Sequence, residues 1–219
     1  VGTNVAADGL SNLSSPGVIG GALIITGEDY GEGASVIQER THAMAVKSSL
    51  WLLDSRPDLG RIVDMVEHGF RLSEASNTPV IMGLRVRACH MQGEFVAKDN
   101  VAATFNVHNK FDGPATFNYD RLSHPPVTFA HEKLKVTDRL PAARRYIAEN
   151  GLNEIFDGDL KNVGIVLQGG LYNTVIRRLG AMGLADAFGE SRVPLLVLNV
   201  VYPLVPEQIA DFAKGKDAV

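Results

Sequence analysis

The residues best suited to chemistry follow a short apolar run at positions 22–26, which has the length and β-branched content of a buried strand. The run stops in a loop at positions 27–39 that is rich in Gly, Asp and Glu and continues neither a strand nor a helix. In an open α/β sheet, ligands bind in the loops that leave the carboxyl ends of the strands. This loop is therefore the first candidate for a functional segment, and the alternative is a Gly-rich turn that only ends the strand.

Gln38 is the loop residue that we expect to contact a ligand, because it is the polar group between apolar Ile37 and the loop. Glu39 and Arg40 add a carboxylate and a guanidinium, but adjacent residues of a helix point to different faces. At most one or two of the three could meet the same ligand. For Glu39, a solvated helix start with local ion pairs is the better interpretation.

A second polar group follows the strand predicted at positions 80–86 and consists of Arg85, Arg87 and His90. An arginine at a carboxyl strand end can pair bidentately with a carboxylate substrate, or it can pair with acidic residues of the first loop. His90 could donate a proton, although a lone histidine is more often a satisfied polar residue.

Other motifs are incomplete. The sequence Gly31-Glu32-Gly33 begins like a dinucleotide-binding loop, but Val36 stands where the third glycine is needed. The histidines have neither i, i+4 spacing nor a Cys-x-x-Cys context, so no metal site is predicted from them. The single cysteine, Cys89, excludes an internal disulfide and an iron–sulfur cluster held by this chain's own thiolates, and we expect it to be a small buried residue.

The composition is that of a folded protein, with 45% hydrophobic and 21% charged residues. A net charge of −4 gives no basic surface for nucleic acid or an anionic membrane. No apolar run approaches the roughly 20 residues that span a bilayer, and no signal-peptide pattern opens the chain. These features predict a cytoplasmic protein that binds neither nucleic acid nor membrane.

The elements that must position the polar residues are regular at both ends of the chain. Asn4 is predicted to cap a helix at positions 5–13, and Asp58 a longer helix at positions 59–76. Positions 92–159 are predicted to form an ordered connector, in which only positions 141–150 have a clear helical pattern. A second α/β unit follows, with strands at 163–167 and 194–200, a tight turn at 168–170, and helices at 171–182, closed by Gly183, and at 206–213.

Three short motifs occur in an order that resembles the pyrimidine-binding domain of thiamine diphosphate enzymes: Gly2-Thr3-Asn4, Ile25-Thr26-Gly27 and Gln38-Glu39. Longer stretches are similar to the thiamine diphosphate-dependent 2-oxoacid:acceptor oxidoreductases, and within them to the large (alpha) subunit of indolepyruvate ferredoxin oxidoreductase. They are VGTNVAADGL, FRLSEASNTPVIMGLRVRACH and VGIVLQGGLYNTVIRRLGAMGLADAFG.

The resemblance implies an α/β fold with a parallel sheet in each of two incomplete domains. Residues 1–95 would be the C-terminal half of a pyrimidine-binding domain, residues 96–160 a connector, and residues 161–219 a truncated transketolase C-terminal-like domain. By the same resemblance, Gly2, Thr3 and Asn4 would contact the cofactor.

The substrate pocket implied by the resemblance contains Gln38, Arg87 and His90. The family reaction is oxidative decarboxylation of an aryl-2-oxoacid such as indolepyruvate to the acyl-CoA, with electrons passed to ferredoxin or a similar acceptor. It implies thiamine diphosphate, Mg²⁺ and CoA as co-substrate, 4Fe-4S clusters in other parts or partner chains, and an oligomer with a partner subunit or the remaining parts of the enzyme.

Some parts of the family pattern are not found in this chain. The glutamate that activates thiamine is expected upstream of Val1, and the magnesium-binding motif and the cluster cysteines are missing. We therefore expect a segment that is inactive in isolation. The alternatives are a carboligase or decarboxylase of the acetolactate synthase type, or a non-catalytic interaction module that docks through an exposed sheet edge and apolar face.

Overall fold

The computed structural model of the chain describes residues 2–29, 40–101 and 116–219. The predicted α/β class is confirmed at the level of a mixed α/β fold whose two sheets both contain parallel strands. In chain order the elements are α1 (Gly2–Val5), α2 (Ala7–Ser14), β1 (Leu23–Glu28), α3 (Thr41–Ser48), β2 (Trp51–Leu53), α4 (Leu59–Ser76), β3 (Val80–Arg85), α5 (Val86–Cys89), α6 (Val127–Leu134), α7 (Leu140–Glu149), β4 (Glu154–Phe156), β5 (Ile165–Gln168), α8 (Tyr172–Ala181), β6 (Leu195–Leu198), β7 (Val200–Tyr202) and α9 (Pro206–Ala213).

The first sheet has the strand order β1-β3-β2-β7. Its central strand β3 pairs in parallel with β1 and β2, whereas β7 is antiparallel to β2. Ile81 of β3 lies opposite Ile24 on one side and Leu52 on the other. Because the three parallel strands share a direction, the residues that follow them meet at one edge of the sheet.

Helix α4 connects β2 to β3 and has the bounds that the sequence predicts. The Asp58 carboxylate accepts a hydrogen bond from the backbone N–H of Arg61 at 2.8 Å, which confirms the predicted cap. The helix buries Met65 and Leu72 completely against the apolar side chains of β3. Helix and sheet therefore share one hydrophobic core, which holds the strand ends in place.

The predicted cap at Asn4 is wrong. The chain already turns into helix at Gly2, and Asn4 lies inside α1 rather than before it. The N–H of Ala6 donates to the carbonyl of Gly2 at 2.9 Å, so the backbone is helical at the position where a cap must be extended. Helix α2 begins without a hydrogen bond from a capping side chain.

The connector contains more helix than the sequence pattern indicates. A π-helical segment, Lys135–Arg139, joins α6 to α7. Helix α7 packs against α4, with Ala143 and Ile147 fully buried in the same core. Helix α6 was not predicted because its apolar residues do not mark a buried face; Phe129, for example, is 82% exposed.

The second sheet has the order β4-β6-β5 and is covered by α8 and α9. Leu179 of α8 packs against Leu195 and Val197 of β6 on one face of the sheet. Phe212 of α9 packs against Leu196 and Leu198 of the same strand, whose side chains point to the other face. Gly183 has φ = 72° and ends α8 at the predicted position. In the part of the chain that the structure describes, no helix has the length and apolar content needed to cross a membrane.

The strand predicted at 194–200 is divided between the two sheets at Asn199. Strand β6, before it, belongs to the second sheet, and β7, after it, belongs to the first. Asn199 is fully buried, and its carboxamide oxygen accepts a hydrogen bond from the backbone N–H of Arg56 at 2.7 Å. Its nitrogen donates to the carbonyl of Leu152 at 2.9 Å and to the Glu154 carboxylate at 2.8 Å.

Glu154 forms the ionic part of the same junction. The guanidinium of Arg56 donates two hydrogen bonds of 3.0 Å to its carboxylate and lies over the rings of Phe156 and Tyr172. Burial opposes ionisation of Glu154, but the hydrogen bonds from Arg56 and Asn199, together with the positive charges of Arg56 and Arg61, outweigh it, so the pKa of Glu154 lies below its usual value. The ionised carboxylate is thus the form that the junction stabilises.

We predict that Asn199→Ala lowers the free energy of unfolding by about 3 kcal/mol, because it removes three buried hydrogen bonds and leaves the backbone N–H of Arg56 without its partner. Urea denaturation followed by circular dichroism measures the change. The matched control is Asn150→Ala, which removes a single exposed hydrogen bond to the carbonyl of Tyr146. Equal losses in the two variants would contradict the role assigned to Asn199.

We predict that Glu154→Gln weakens the dependence of stability on acid pH. A carboxylate with a lowered folded pKa stabilises the fold above the ordinary pKa of about 4.3, and this contribution is lost as pH falls through the folded pKa. Stability measured by urea denaturation from pH 7 to pH 3 should therefore fall less steeply in the variant, which starts lower at pH 7 by about 2 kcal/mol. Glu149→Gln, at an exposed position, should follow the unmodified chain, and a parallel curve for Glu154→Gln would contradict the prediction.

Candidate functional site

The carboxyl ends of four strands bring polar side chains from both sheets together. Glu28 ends β1, Asp54 follows β2, Arg85 ends β3 and Gln168 ends β5. These four side chains lie at the carboxyl ends of parallel strands, which is where the sequence predicts ligand binding. Glu28 and Asp54 are both buried.

Arg85 is the centre of a hydrogen-bond network between the two sheets. Its guanidinium donates from Nη2 to Asp54 Oδ2 at 2.7 Å and from Nε to Asp54 Oδ1 at 3.3 Å. The same Nη2 donates to Gln168 Oε1 at 3.1 Å. Of the two interpretations that the sequence offers for Arg85, the structure supports a structural ion pair, and Asp54 is one partner in it.

The network continues from Gln168 to His42. Gln168 Nε2 lies 3.2 Å from His42 Nε2. Because the amide oxygen of Gln168 already accepts from Arg85, its nitrogen faces His42 as the donor. In this arrangement His42 Nε2 is the acceptor of the bond.

Two glycines allow the second sheet to approach this network. A Cβ added to Gly169 would lie 2.2 Å from the carbonyl oxygen of Asp54, and one added to Gly170 would lie 2.2 Å from Arg85 Nε. The sequence predicts a tight turn here. The structure adds a second requirement, which is close packing of the turn against the Asp54–Arg85 pair.

A cleft of about 450 Å³ opens beside the network, between α5 and the start of α8. Its described lining combines an apolar wall with three arginines and one acid, Glu28. The Glu28 carboxylate accepts a hydrogen bond from the N–H of Thr41 at 3.0 Å. The lining also includes Pro57, Val86, Met91, Asn173, Thr174 and Arg177.

A smaller cleft of about 300 Å³ adjoins the first one. Arg40 and His42 line it, and it shares Arg85 and Leu171 with the larger cleft. The Arg85–Gln168 hydrogen bond thus lies where the two spaces meet. A change at this bond would alter both clefts.

The predicted cofactor-binding residues lie in α1. Gly2 and Asn4 are exposed and Thr3 is half-buried. Helix α1 contacts α2 and α3, and none of the three residues lines the 450 Å³ cleft. Their contact with a cofactor stays a prediction.

The predicted substrate-pocket residues are separated. Arg87 lines the 450 Å³ cleft, whereas His90 lies at the exposed end of α5 and is not part of the lining. Gln38 lies outside the described residues. The structure thus places Arg87 and Arg85 in the lining of the same cleft. The roles of both arginines toward a substrate stay predictions.

The expectation that Cys89 is buried is wrong. The thiol is exposed, because the short helix α5 lies on the surface beside the cleft. Among the residues that the structure describes, no group of three or more His, Cys, Asp or Glu side chains could hold a metal ion.

Sequence reasoning missed His42, Asp54, Gln168 and Arg177. Asp54 and Gln168 carry a usable signal, since each is the first or last polar residue at the end of an apolar strand. Applying the strand-end rule to every strand would have selected both. His42 and Arg177 lie on helices, and only the packing of the helices brings them to the clefts.

We predict a coupling free energy of about 2 kcal/mol between Asp54 and Arg85, because the pair is bidentate and mostly removed from water. A double-mutant cycle with Asp54→Asn and Arg85→Gln, measured by urea denaturation, gives this value. The control cycle uses Glu67→Gln and Lys98→Gln, an exposed pair with a 2.7 Å contact, for which we expect a much weaker coupling because water screens the two charges. Equal couplings would show that the buried pair has no special role.

Comparison with known proteins gives one consistent name. No family model matches the chain. Indolepyruvate oxidoreductase subunit IorA of Methanothermobacter thermautotrophicus is 26% identical over 216 residues, which cover 98% of this chain and 33% of the relative. The Pyrococcus horikoshii subunit of the same name is 25% identical over 242 residues, which cover 97% of this chain and 35% of the relative.

A third relative with this name, from Thermococcus kodakarensis, is 24% identical over 238 residues, which cover 99% of this chain and 36% of the relative. The chain thus spans about a third of the length of the curated relatives that it matches. The resemblance predicted from the sequence is therefore confirmed: over nearly its whole length, this chain is a distant relative of indolepyruvate oxidoreductase subunit IorA.

Proposed function

We propose that this chain is a segment of a 2-oxoacid oxidoreductase subunit whose substrate is an aryl-2-oxoacid such as indolepyruvate. The observation that carries the proposal is the similarity to IorA subunits, which extends over 97% of the chain or more in the relatives described above. The reaction proposed for the whole enzyme is oxidative decarboxylation to the acyl-CoA. Its electrons pass to ferredoxin or a similar acceptor.

Within this proposal, residues 1–95 are the C-terminal half of a pyrimidine-binding domain and residues 161–219 belong to a transketolase C-terminal-like domain. The parallel strands of both sheets and the clefts at their carboxyl ends support this assignment. Gln38, Arg87 and His90 are proposed to face the substrate. Gly2, Thr3 and Asn4 are proposed to contact the cofactor.

The described residues do not fit the complete cofactor of such an enzyme. Thiamine diphosphate is held through a magnesium ion, and the magnesium-binding motif of the family is not found in the sequence. We therefore place the diphosphate site and the 4Fe-4S clusters in other parts of the enzyme or in partner chains. The enzyme is proposed to be a cytoplasmic oligomer that uses CoA as co-substrate.

The test is an anaerobic assay of the complete gene product that contains this chain, purified with the chains that accompany it. We expect indolepyruvate to reduce methyl viologen in a reaction that requires CoA and thiamine diphosphate, with less activity on pyruvate or 2-oxoglutarate. The isolated 219-residue chain should give no turnover, since the activating glutamate and the magnesium motif are not found in it.

The alternatives give different results in the same assay. Formation of an acetolactate-type product without viologen reduction would identify a carboligase. Specific binding of a partner chain without any 2-oxoacid reaction would identify an interaction module. The second alternative has one structural argument, because β1 is an edge strand among the described strands and Ile25 in it is 58% exposed.

A further inference from the structure

Helix α6 and the π-helical segment that follows it reverse the usual arrangement of a surface helix. Their buried side chains are polar, since His131 and Arg139 are only 2% and 4% exposed. Two of their apolar side chains point to solvent instead, with Phe129 82% and Val136 66% exposed. A surface helix normally buries its apolar stripe, so this helix presents to solvent the kind of face that a partner covers.

Polar contacts hold the helix in this orientation. The imidazole of His131 lies 3.1 Å from Ser15 Oγ through Nδ1 and 2.6 Å from the carbonyl oxygen of Asp120 through Nε2. The guanidinium of Arg139 donates from Nη1 to the carbonyl of Ser14 at 2.8 Å. Rotating the helix to bury its apolar side chains would break these contacts and leave buried polar groups without partners.

The exposed face has four side chains at the spacing that brings residues to one side of a helix. Phe129, Glu132, Lys133 and Val136 stand at i, i+3, i+4 and i+7. All four residues are exposed, and the Glu132 side chain is 65% accessible even though it pairs with Lys135 at 2.6 Å. The face is therefore apolar at its two ends and carries one acid and one base between them.

This order of side chains is complementary to itself when two such helices run antiparallel. In a two-fold arrangement centred between Glu132 and Lys133, a residue before the centre meets the residue equally far after the centre in the second copy. Phe129 then packs against the partner's Val136, and Glu132 meets the partner's Lys133, with each contact formed twice. A parallel arrangement would place each charge against its like, which is unfavourable.

We propose that residues 127–139 form an interface with a second copy of this chain, in which the two helices run antiparallel. The pair covers both apolar ends of each face and forms two ion pairs. Stable interfaces bury about 1,200–2,000 Å² in total, and two helices of this length cover less, so we expect a dissociation constant on the order of 10–100 μM. The proposal does not depend on the 2-oxoacid reaction, because the face shares no residue with the two clefts.

The experiment is sedimentation velocity of the complete 219-residue chain at concentrations from about 5 to 500 μM. We expect a monomer at the low end of this range and a dimer at the high end. Phe129→Ser should weaken the association by about tenfold or more, since it removes the largest apolar side chain from both ends of the interface. The matched control is Phe188→Ser, which changes a 93% exposed phenylalanine outside this helix and should alter the dissociation constant by less than about twofold.

Charge reversal tests the antiparallel arrangement itself. Glu132→Lys and Lys133→Glu should each weaken the association by about tenfold at low salt, because like charges then meet at both central contacts. An equimolar mixture of the two variants should recover the dimer, since every acid in the mixed pair faces a base. Damage to the fold would not be repaired by mixing, and thermal unfolding verifies that each variant is folded.

A monomer over the whole concentration range, equal losses in Phe129→Ser and Phe188→Ser, or no recovery in the mixture would overturn the proposal. Protection of residues 127–139 from hydrogen exchange in the complete gene product, with the isolated chain monomeric, would show that another segment or another protein covers this face, and would also overturn it. None of these results uses the viologen assay. Failure of the interface and failure of the proposed enzyme are therefore distinguishable.

Discussion

The carboxamide of Asn199 forms the most buried polar contact described at the junction of the two sheets. It is the point at which one extended stretch leaves the second sheet and enters the first. Its oxygen and both of its N–H groups have partners, from Arg56, Leu152 and Glu154. An aspartate would lack the two donors and would face the carboxylate of Glu154. An aliphatic side chain would leave the backbone N–H of Arg56 without its partner and would remove one of the hydrogen bonds to the Leu152 carbonyl and to the Glu154 carboxylate. The position therefore requires an amide.

The clefts follow from this arrangement. Because the sheets are joined at Asn199, the turn that precedes α8 comes to lie against the ends of β2 and β3, where Gly169 and Gly170 permit contact. Arg85 then pairs with Asp54 from its own sheet and with Gln168 from the other. The spaces on both sides of this pair are the two clefts. Their shape is thus set by buried polar contacts rather than by any single loop.

Much of the fold could be predicted because its signals are local. Helix α4 has a long apolar period and a cap at Asp58, and α8 ends at a glycine with positive φ, so both were located correctly. The division of the strand at Asn199 has no such signal, since apolar residues continue on both sides of it. Assigning the two halves to different sheets requires knowledge of distant pairing, which the local pattern does not contain.

The candidate site was predictable in location and only partly in composition. The strand-end rule selects the edge of the sheet at which the clefts lie, and Arg87, which the rule led to, lines one of them. The contacts that build the site join residues far apart in sequence, with separations of 83 for Arg85 and Gln168 and 126 for Gln168 and His42. Such pairs depend on how the elements pack. The exposure of Cys89 was missed for the same reason.

The pairing of β2 with β7 also has a consequence for synthesis of the protein. Leu52 pairs with Tyr202, so the ribosome must make all the residues between them before β2 can pair with β7. Until then β2 is an open edge in the nascent chain, and Leu52 and Leu53, which are buried in the finished fold, lack part of their cover. Such edges pair with other chains when they are exposed for long. This segment is therefore expected to need protection by chaperones until β7 has been translated.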